Sequence, residues 1–399
     1  MESNNLPLDG ICVVDLSRVL AGPYCTLLLS MLGANVIKIE GHTGDESRAW
    51  PPLIGGLGAT FYGLNLNKRS VVVDLKSEDG PQIIRDLARS ADVLVENFKT
   101  GTMGRFGLDY ETLHAINPRL VYSSITAFGD RGPRAEKPGY EALMQAYSGV
   151  MSITGEPEGE PVRCGVSFHD MATGIASAFA IVTALFRRER TGMGGKLNNS
   201  LLQTALGLMS IQVTNYYQGG EVPTKLGSAH PMVVPYQVFH TQDRPMMIAS
   251  ANQNLWERLC RALGLDALLD DPRFKDNPAR VANREACLAY VSEAIRPHGF
   301  AELESKLNEF GVPCAPVNSL PEMLGEEQVA ALGSIIEVED AELGTLKLSG
   351  LPFYLDGRVI DSARPAPRLG AHTREVLGEL GYDDDRIASL MEKQVVAGA

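Results

Sequence analysis

A chain of 399 residues is longer than one ordinary hydrophobic core accommodates, which predicts two domains. Its 44% hydrophobic and 21% charged residues are those of a soluble globular protein, and a net charge of −13 argues against a nucleic-acid or anionic-membrane surface. The six cysteines hold no C-x-x-C pair, no apolar run reaches bilayer length, and the start MESNNLPLDG lacks a signal-peptide pattern, which together predict a cytoplasmic protein without disulfide frame, membrane span or zinc site.

In chain order, GICVVDLS reads as a strand, YCTLLLSMLGA as a helix closed by glycine, and NVIKIE as a second strand. SVVVDL, DVLVENF and RLVYSSITAF are further strand candidates, with the amphipathic helix PQIIRDLARSA between two of them. This β-α-β order predicts a mostly parallel, Rossmann-like sheet with helices on its faces. The first turn, DLSRVLAGPYC, has no G-x-G-x-x-G, which excludes the usual NAD or FAD phosphate cradle, and no Walker A lysine motif occurs. IASAFAIVTALFRRER and SLLQTALGLMSIQVTNYYQ read as long helices, separated by TGMGGKLNNS, a turn-rich hinge or hairpin. VVPYQVFHTQDRPMMIASA reads as a β-hairpin turning near Gln242 and Asp243, and NLWERLCRALG and ANREACLAYVSEAI read as helices. Residues 225–325 thus form a small α+β domain; 1–200 and 330–399 form the large domain, with linkers at 201–224 and 326–329.

Several stretches carry candidate chemistry. Asp170, in FHDMATG, precedes a helix, where a carboxylate is most often an N-cap; the functional alternative is a nucleophile that attacks an acyl carbonyl. His169 beside it points away on an extended turn and reads as structural. KPGYEALMQA places Lys137, Tyr140, Glu141 and Gln145 at a helix start, as a cap region or a pocket wall. ENFKTGTMGRFG follows a strand and offers Asn97, Phe98, Lys99 and Arg105, suited to a nucleotide with phosphates or to a solvated loop. Lys68, Arg69 and Lys76 flank SVVVDL and read as solubility devices. No histidine pair has ligand spacing, so no metal is expected.

The ordered set DLSRVLAGP, GANVIKIE, GDESR, NKRSVVVDL, ADVLVENF, GYE and HDMATG resembles the class III (CaiB/BaiF-type) coenzyme A transferases, the family of formyl-CoA and carnitine CoA-transferases. The likeness continues through LGSAHPMVVPYQVFHTQD, FGVPCAPV and ARPAPRLGAHT. It implies a Rossmann-like domain built from both chain ends, a small middle domain, and an interlocked homodimer. The family's D-x-x-x-G nucleophile falls on Asp170, with Gly174 closing the segment. The implied chemistry runs through a mixed anhydride and an aspartyl-CoA thioester, with coenzyme A as substrate and no permanently bound cofactor. Family CoA contacts fall on Val19, Val73, Lys76, Asn97, Phe98, Arg105 and Lys137, and Tyr140 and Glu141 match a pair beside the nucleophile.

Departures narrow the substrate. The formyl-CoA enzymes have glutamine where this chain has Leu20, and four glycines where it has GSAHP, which disfavours oxalate. Gly41 replaces a common Arg or Pro, and Gly195 and Asn198 replace the usual Gln and Asp of G-x-G-Q-x-x-D-x-S. TGEPEGEPVRCGVSFHDMATG is most similar to members using succinyl-CoA and a dicarboxylic acid such as glutarate, mesaconate or citramalate. A second carboxylate needs a cation, for which Arg48 and Arg163 are candidates, each otherwise a surface ion-pair partner. Two rival activities share the fold: an α-methylacyl-CoA racemase, whose G-H-D-I-N-Y segment is PGYEAL here, and a non-catalytic acyl-CoA binding protein. Transfer within one molecule is a third variant of the same chemistry.

Overall fold

Buried strands in this chain read as unbroken apolar runs because both of their faces are covered. The computed structural model describes residues 6–361 and 363–398, so the first five residues of the amino-terminal stretch lie outside it. Seven strands form one sheet, in the order Val396–Ala397, Arg69–Val73, Asn35–Glu40, Cys12–Asp15, Val93–Glu96, Val121–Thr126, Gly195–Ser200. Neighbours run parallel except Val396–Ala397, which lies antiparallel to Arg69–Val73 at one edge. Successive side chains alternate between faces. Val14, Ile37, Val71 and Leu94 therefore share a core with the helices Gly80–Ala88, Tyr110–Ile116, Thr373–Glu379 and Asp384–Glu392. Val13, Val36, Val93 and Val121 enter the opposite core, against Ala21–Met31 and Phe168–Thr191. Strand order reverses at Cys12–Asp15, and the crevice at the carboxyl end of such a reversal is where open α/β sheets bind ligands.

The chain forms two compact units. The first comprises Met1–Val150, Cys164–Gly220 and Ala330–Ala399; the second comprises Met151–Arg163 and Glu221–Val329. In the second, Tyr236–His240 and Pro245–Ala249 make the expected hairpin, joined by Cys314–Pro316 on the other side of Pro245–Ala249. Its turn is closed by Asp243, whose Oδ1 accepts from Thr241 Oγ1 at 2.8 Å and from the Phe300 amide at 2.8 Å. Helices Gln253–Leu263, Arg284–Ile295 and Phe300–Glu309 supply Trp256, Val291 and Leu303 to its core.

Four segments differ from the sequence reading, the first being Met151–Arg163, which was placed in the large domain and belongs to the second unit. TGMGGKLNNS is neither hinge nor hairpin: Gly195–Ser200 is the edge strand beside Val121–Thr126. Gly194 admits it there, because a Cβ would lie 2.1 Å from the Leu120 carbonyl oxygen. Gly195 likewise leaves room for Arg187, whose guanidinium nitrogen would meet a Cβ at 2.4 Å, and Asn198 Nδ2 donates to Asp130 at 2.9 Å. The stretch placed as a linker from 201 begins with two helices of the first unit, Leu201–Leu208 and Ser210–Gly219, parted at Met209, where ψ is 19°. Finally, Phe168–Thr191 has 24 residues, so by length and composition it is the one helix among the described residues able to cross a membrane; half of its apolar window is buried in the protein.

Candidate active site

The turn after Cys12–Asp15 is held from below by buried charges. Asp15 accepts from the Ser17 amide at 2.9 Å, from Thr26 Oγ1 at 2.6 Å and from Lys68 Nζ at 3.2 Å. Lys38, fully buried, donates to the Ser17 carbonyl and to Asp45, each at 2.9 Å. Asp45 in turn accepts from the Val19 amide at 3.2 Å. Burial opposes ionisation of Asp15 and Asp45, yet the lysines beside them hold both carboxyls below their ordinary range. These contacts stabilise a costly backbone: Val19 has φ of 72°, rare for a β-branched residue and worth about 1–3 kcal/mol of strain. Asn97, at the end of the neighbouring strand, accepts from the Arg18 amide and donates to the Arg18 carbonyl, both at 2.8 Å. Lys68 and Arg69 are therefore not solubility devices. Lys68 pairs with Asp15, and Arg69 with Glu375 at 2.8 Å and Glu379 at 2.6 Å.

Asp170 is not a cap. The helix starts at Phe168, the capping position is Ser167, and Asp170 lies in the first turn, where the helix dipole favours an anion. Gly174, one turn on along the same face, admits the helix Ala21–Met31: a Cβ there would lie 2.8 Å from the Ala21 carbonyl oxygen and 3.0 Å from Tyr24. Asp170 is thereby brought beside Leu20 and Ala21 in one cleft. It is 8% exposed, and no hydrogen bond from a described residue holds its carboxyl. Burial pushes its pKa up to about 7, and the Glu141 carboxylate adds to the rise. Glu141 is buried too, with Gln145 Nε2 donating to its Oε1 at 2.6 Å and the Cys164 amide donating to Gln145 Oε1 at 2.8 Å. His169 is helical rather than extended, fully buried and tilted at 43° against the Phe168 ring; its Nδ1 is 3.9 Å from Glu141, and burial lowers its pKa. It is not placed as a base for Asp170.

Two cavities meet at Arg18 and Phe98, which line both. The first, an open cleft of about 1000 Å³, holds Asp170 together with Val19, Asn97, Lys137, Tyr140 and Glu141. The second, about 890 Å³, is lined by Val73, Lys76, Gly41, Thr102 and Phe106. An apolar wall with an aromatic face and a lysine suits a purine ring and its phosphates. Arg105 stands apart from both linings and donates to Thr102 Oγ1 at 3.2 Å.

Arg48 does not face the cleft. It donates to both oxygens of Glu40, at 2.8 and 2.6 Å, and to the Pro367 carbonyl at 3.0 Å, and it lies 3.8 Å over the Phe61 ring. Glu40 is almost fully buried, so Arg48→Ala strands a charge, and we expect a loss of about 3–5 kcal/mol in chemical denaturation. Arg163 belongs to the second unit. Sequence reasoning passed over Arg18 and Glu46 as site residues, although both lie in motifs it quoted, DLSRVLAGP and GDESR. The usable signal was the position of Arg18 just past the first strand, at the reversal of strand order.

The family model described as CoA-transferase family III matches residues 8–373. The succinate–glutarate CoA-transferase of Agrobacterium fabrum is 40% identical over 95% of this chain and 97% of its own length. The human succinyl-CoA:glutarate CoA-transferase is 38% identical over 99% of this chain and 91% of its own. The crystal structure of a CAIB/BAIF family protein from Brucella suis superposes with a TM-score of 0.82 at 39% identity, covering 94% of this chain and 100% of that one.

Proposed function

Because the chain belongs to CoA-transferase family III, we propose that it moves CoA from succinyl-CoA to a dicarboxylic acid, with glutarate the first candidate, through a thioester on Asp170. The observation that carries this reading is the Asp170 carboxyl: buried, unbonded, and in a cleft that adjoins a cavity suited to a nucleotide. A carboxylate relieved of hydrogen bonds and water is a stronger nucleophile than one in solution.

An Asp170 oxygen attacks the thioester carbonyl of succinyl-CoA. The C–S bond breaks, leaving a succinyl-aspartyl anhydride and the CoA thiolate. The thiolate attacks the aspartyl carbonyl; the anhydride C–O bond breaks, succinate leaves, and Asp170 carries CoA as a thioester. An acceptor carboxylate attacks that thioester and expels the thiolate, forming a second anhydride. The thiolate then attacks the acceptor's acyl carbon, giving the new acyl-CoA and the free Asp170 carboxylate. Each step exchanges one activated acyl group for another, so no step is strongly uphill. Coenzyme A enters only as substrate.

For the coenzyme, Val73, Lys76 and Phe98 flank the base and phosphates, Arg105 braces that wall from behind by donating to Thr102 Oγ1, and Val19, Asn97 and Lys137 guide the thiol arm to Asp170. Tyr140 and Glu141 bound the acyl end.

Two such chains form the interlocked homodimer of this reading. Its support is an uncovered apolar face on Phe168–Thr191 and the helices after it, where Phe179 is 73% exposed and Ile175, Phe186, Leu208, Ile211 and Tyr217 are also exposed. Monomers rarely leave so many large apolar side chains in water. Sedimentation at a monomer mass would remove the homodimer.

The pH profile tests the nucleophile. Attack needs the ionised carboxyl, so kcat/KM should rise with pH through about 7 and level off above it. Glu141→Gln removes the second cause of the raised pKa and should move the midpoint down. A profile flat between about pH 5.5 and about pH 8.5 would take Asp170 out of the rate-limiting chemistry.

A further inference from the structure

A dicarboxylic acceptor carries a second charge that the transfer chemistry does not use, and the cleft has a cation suited to it. Resting on the dicarboxylate reading above, we propose that Arg18 recognises the acceptor's far carboxylate and that Glu46 occupies the guanidinium until the acceptor displaces it. Arg18 lines the cleft that holds Asp170. Its backbone is fixed on both sides by Asn97, so the side chain starts from a rigid anchor, and its guanidinium lies 5.6 Å over the Phe98 ring. The side chain is 49% exposed, and among the described residues its one ionic partner is Glu46, at 3.4 Å and equally exposed.

An exposed pair at that distance is weak and easily exchanged. Glu46 also lines the cleft, on the short turn Glu46–Ala49 that Asp45 caps by accepting from the Ser47 amide at 3.0 Å. A carboxylate is thus already presented to Arg18 from the cleft wall, in the role a substrate carboxylate would take. Lys99 and Lys137 line the same cleft. An ammonium can neutralise a carboxylate, but the planar guanidinium takes both oxygens at once and fixes their direction. Arg48, by contrast, is already bound in that two-point fashion to Glu40.

The test is a competition in one reaction, with succinyl-CoA as donor and glutarate against valerate as acceptors. The two acids have equal carbon counts and differ by one carboxylate, and the shared donor step cancels. Arg18→Ala should lower the glutarate-to-valerate ratio of kcat/KM about 10- to 100-fold, the worth of a charged hydrogen-bonded contact. Arg18→Lys should recover part of it, and Lys99→Ala should not reproduce the collapse. Glu46→Gln should act in the opposite sense, lowering the KM for glutarate by up to about fivefold, the scale of an exposed ion pair. CoA affinity, measured by calorimetry, is read in the same variants.

A ratio unmoved in Arg18→Ala overturns the assignment. So does an equal loss for both acids accompanied by weaker CoA binding, which would give Arg18 to the coenzyme phosphates. If Arg18→Ala does not fold, an unchanged or raised glutarate KM in Glu46→Gln overturns it instead. Wild-type protein that transfers CoA to neither acid sinks the functional reading, and the Arg18 assignment with it; transfer with an unmoved ratio sinks the Arg18 assignment alone.

Discussion

Asp170→Asn is expected to lower CoA transfer at least about ten-thousandfold and, at pH 8, to raise the melting temperature. The two effects share one cause. Burial and the Glu141 charge push the native carboxyl up to about 7, while the same group in the unfolded chain ionises near its ordinary value of 3.8. As pH rises from 3.8 toward 7 the unfolded chain releases a proton that the native site retains, so this group's contribution to stability falls across that window. Asparagine keeps the shape without the charge and avoids the loss, which is worth up to about 2–4 kcal/mol above pH 7. At pH 3.5 most of the gain should vanish, because the native carboxyl is then protonated and the unfolded one mostly so. A structural role predicts the reverse: lost stability and modest loss of activity. The covalent step has its own signature. Wild-type protein incubated with succinyl-CoA and then hydroxylamine should carry a hydroxamate on Asp170 by peptide mass spectrometry, and Asp170→Asn should carry none. An unmodified wild-type protein that still turns over would mean that transfer bypasses the aspartyl thioester.

The sheet was legible in the sequence because its central strands are buried twice over. CVVD and RSVVV can scarcely be anything else once both faces must be apolar. The same rule hid the edge strand: GKLNNS covers only one neighbour, needs few apolar residues, and reads as a turn. Lys68 was misread for a different reason. It looks like a solvated charge until Asp15, 53 residues earlier, is brought to it. Arg48 was drawn toward substrate because a lone arginine in a sequence has no visible partner; in the folded chain Glu40 takes two of its donors and the Pro367 carbonyl a third. Asp170 was singled out through the resemblance rather than the local pattern, which favoured the cap that Ser167 in fact occupies. What the local pattern lacked was Gly174, whose meaning depends on a helix some 150 positions earlier in the chain.

Gly174→Ala should therefore cost much more in rate than in fold. The added Cβ meets the Ala21 carbonyl at 2.8 Å and the Cys25 amide at 3.2 Å, and backbone cannot swing aside as a flexible side chain can. The helices Phe168–Thr191 and Ala21–Met31 must part, which costs about 1–3 kcal/mol, the usual range for overpacking. Asp170 rides on the first helix and Leu20 and Ala21 lead into the second, so the parting opens the cleft where the anhydride and thioester form. A misplacement of about 1 Å is worth about a hundredfold in kcat. CoA affinity should change little, since Val73, Lys76 and Phe106 stand on other elements. Gly378→Ala is the control: that helical glycine has nothing within 4 Å of a Cβ, and alanine there should be neutral or stabilise by up to about 1 kcal/mol. A Gly174→Ala enzyme with wild-type kcat would mean that the close approach of the two helices serves packing alone and leaves the position of Asp170 unaffected.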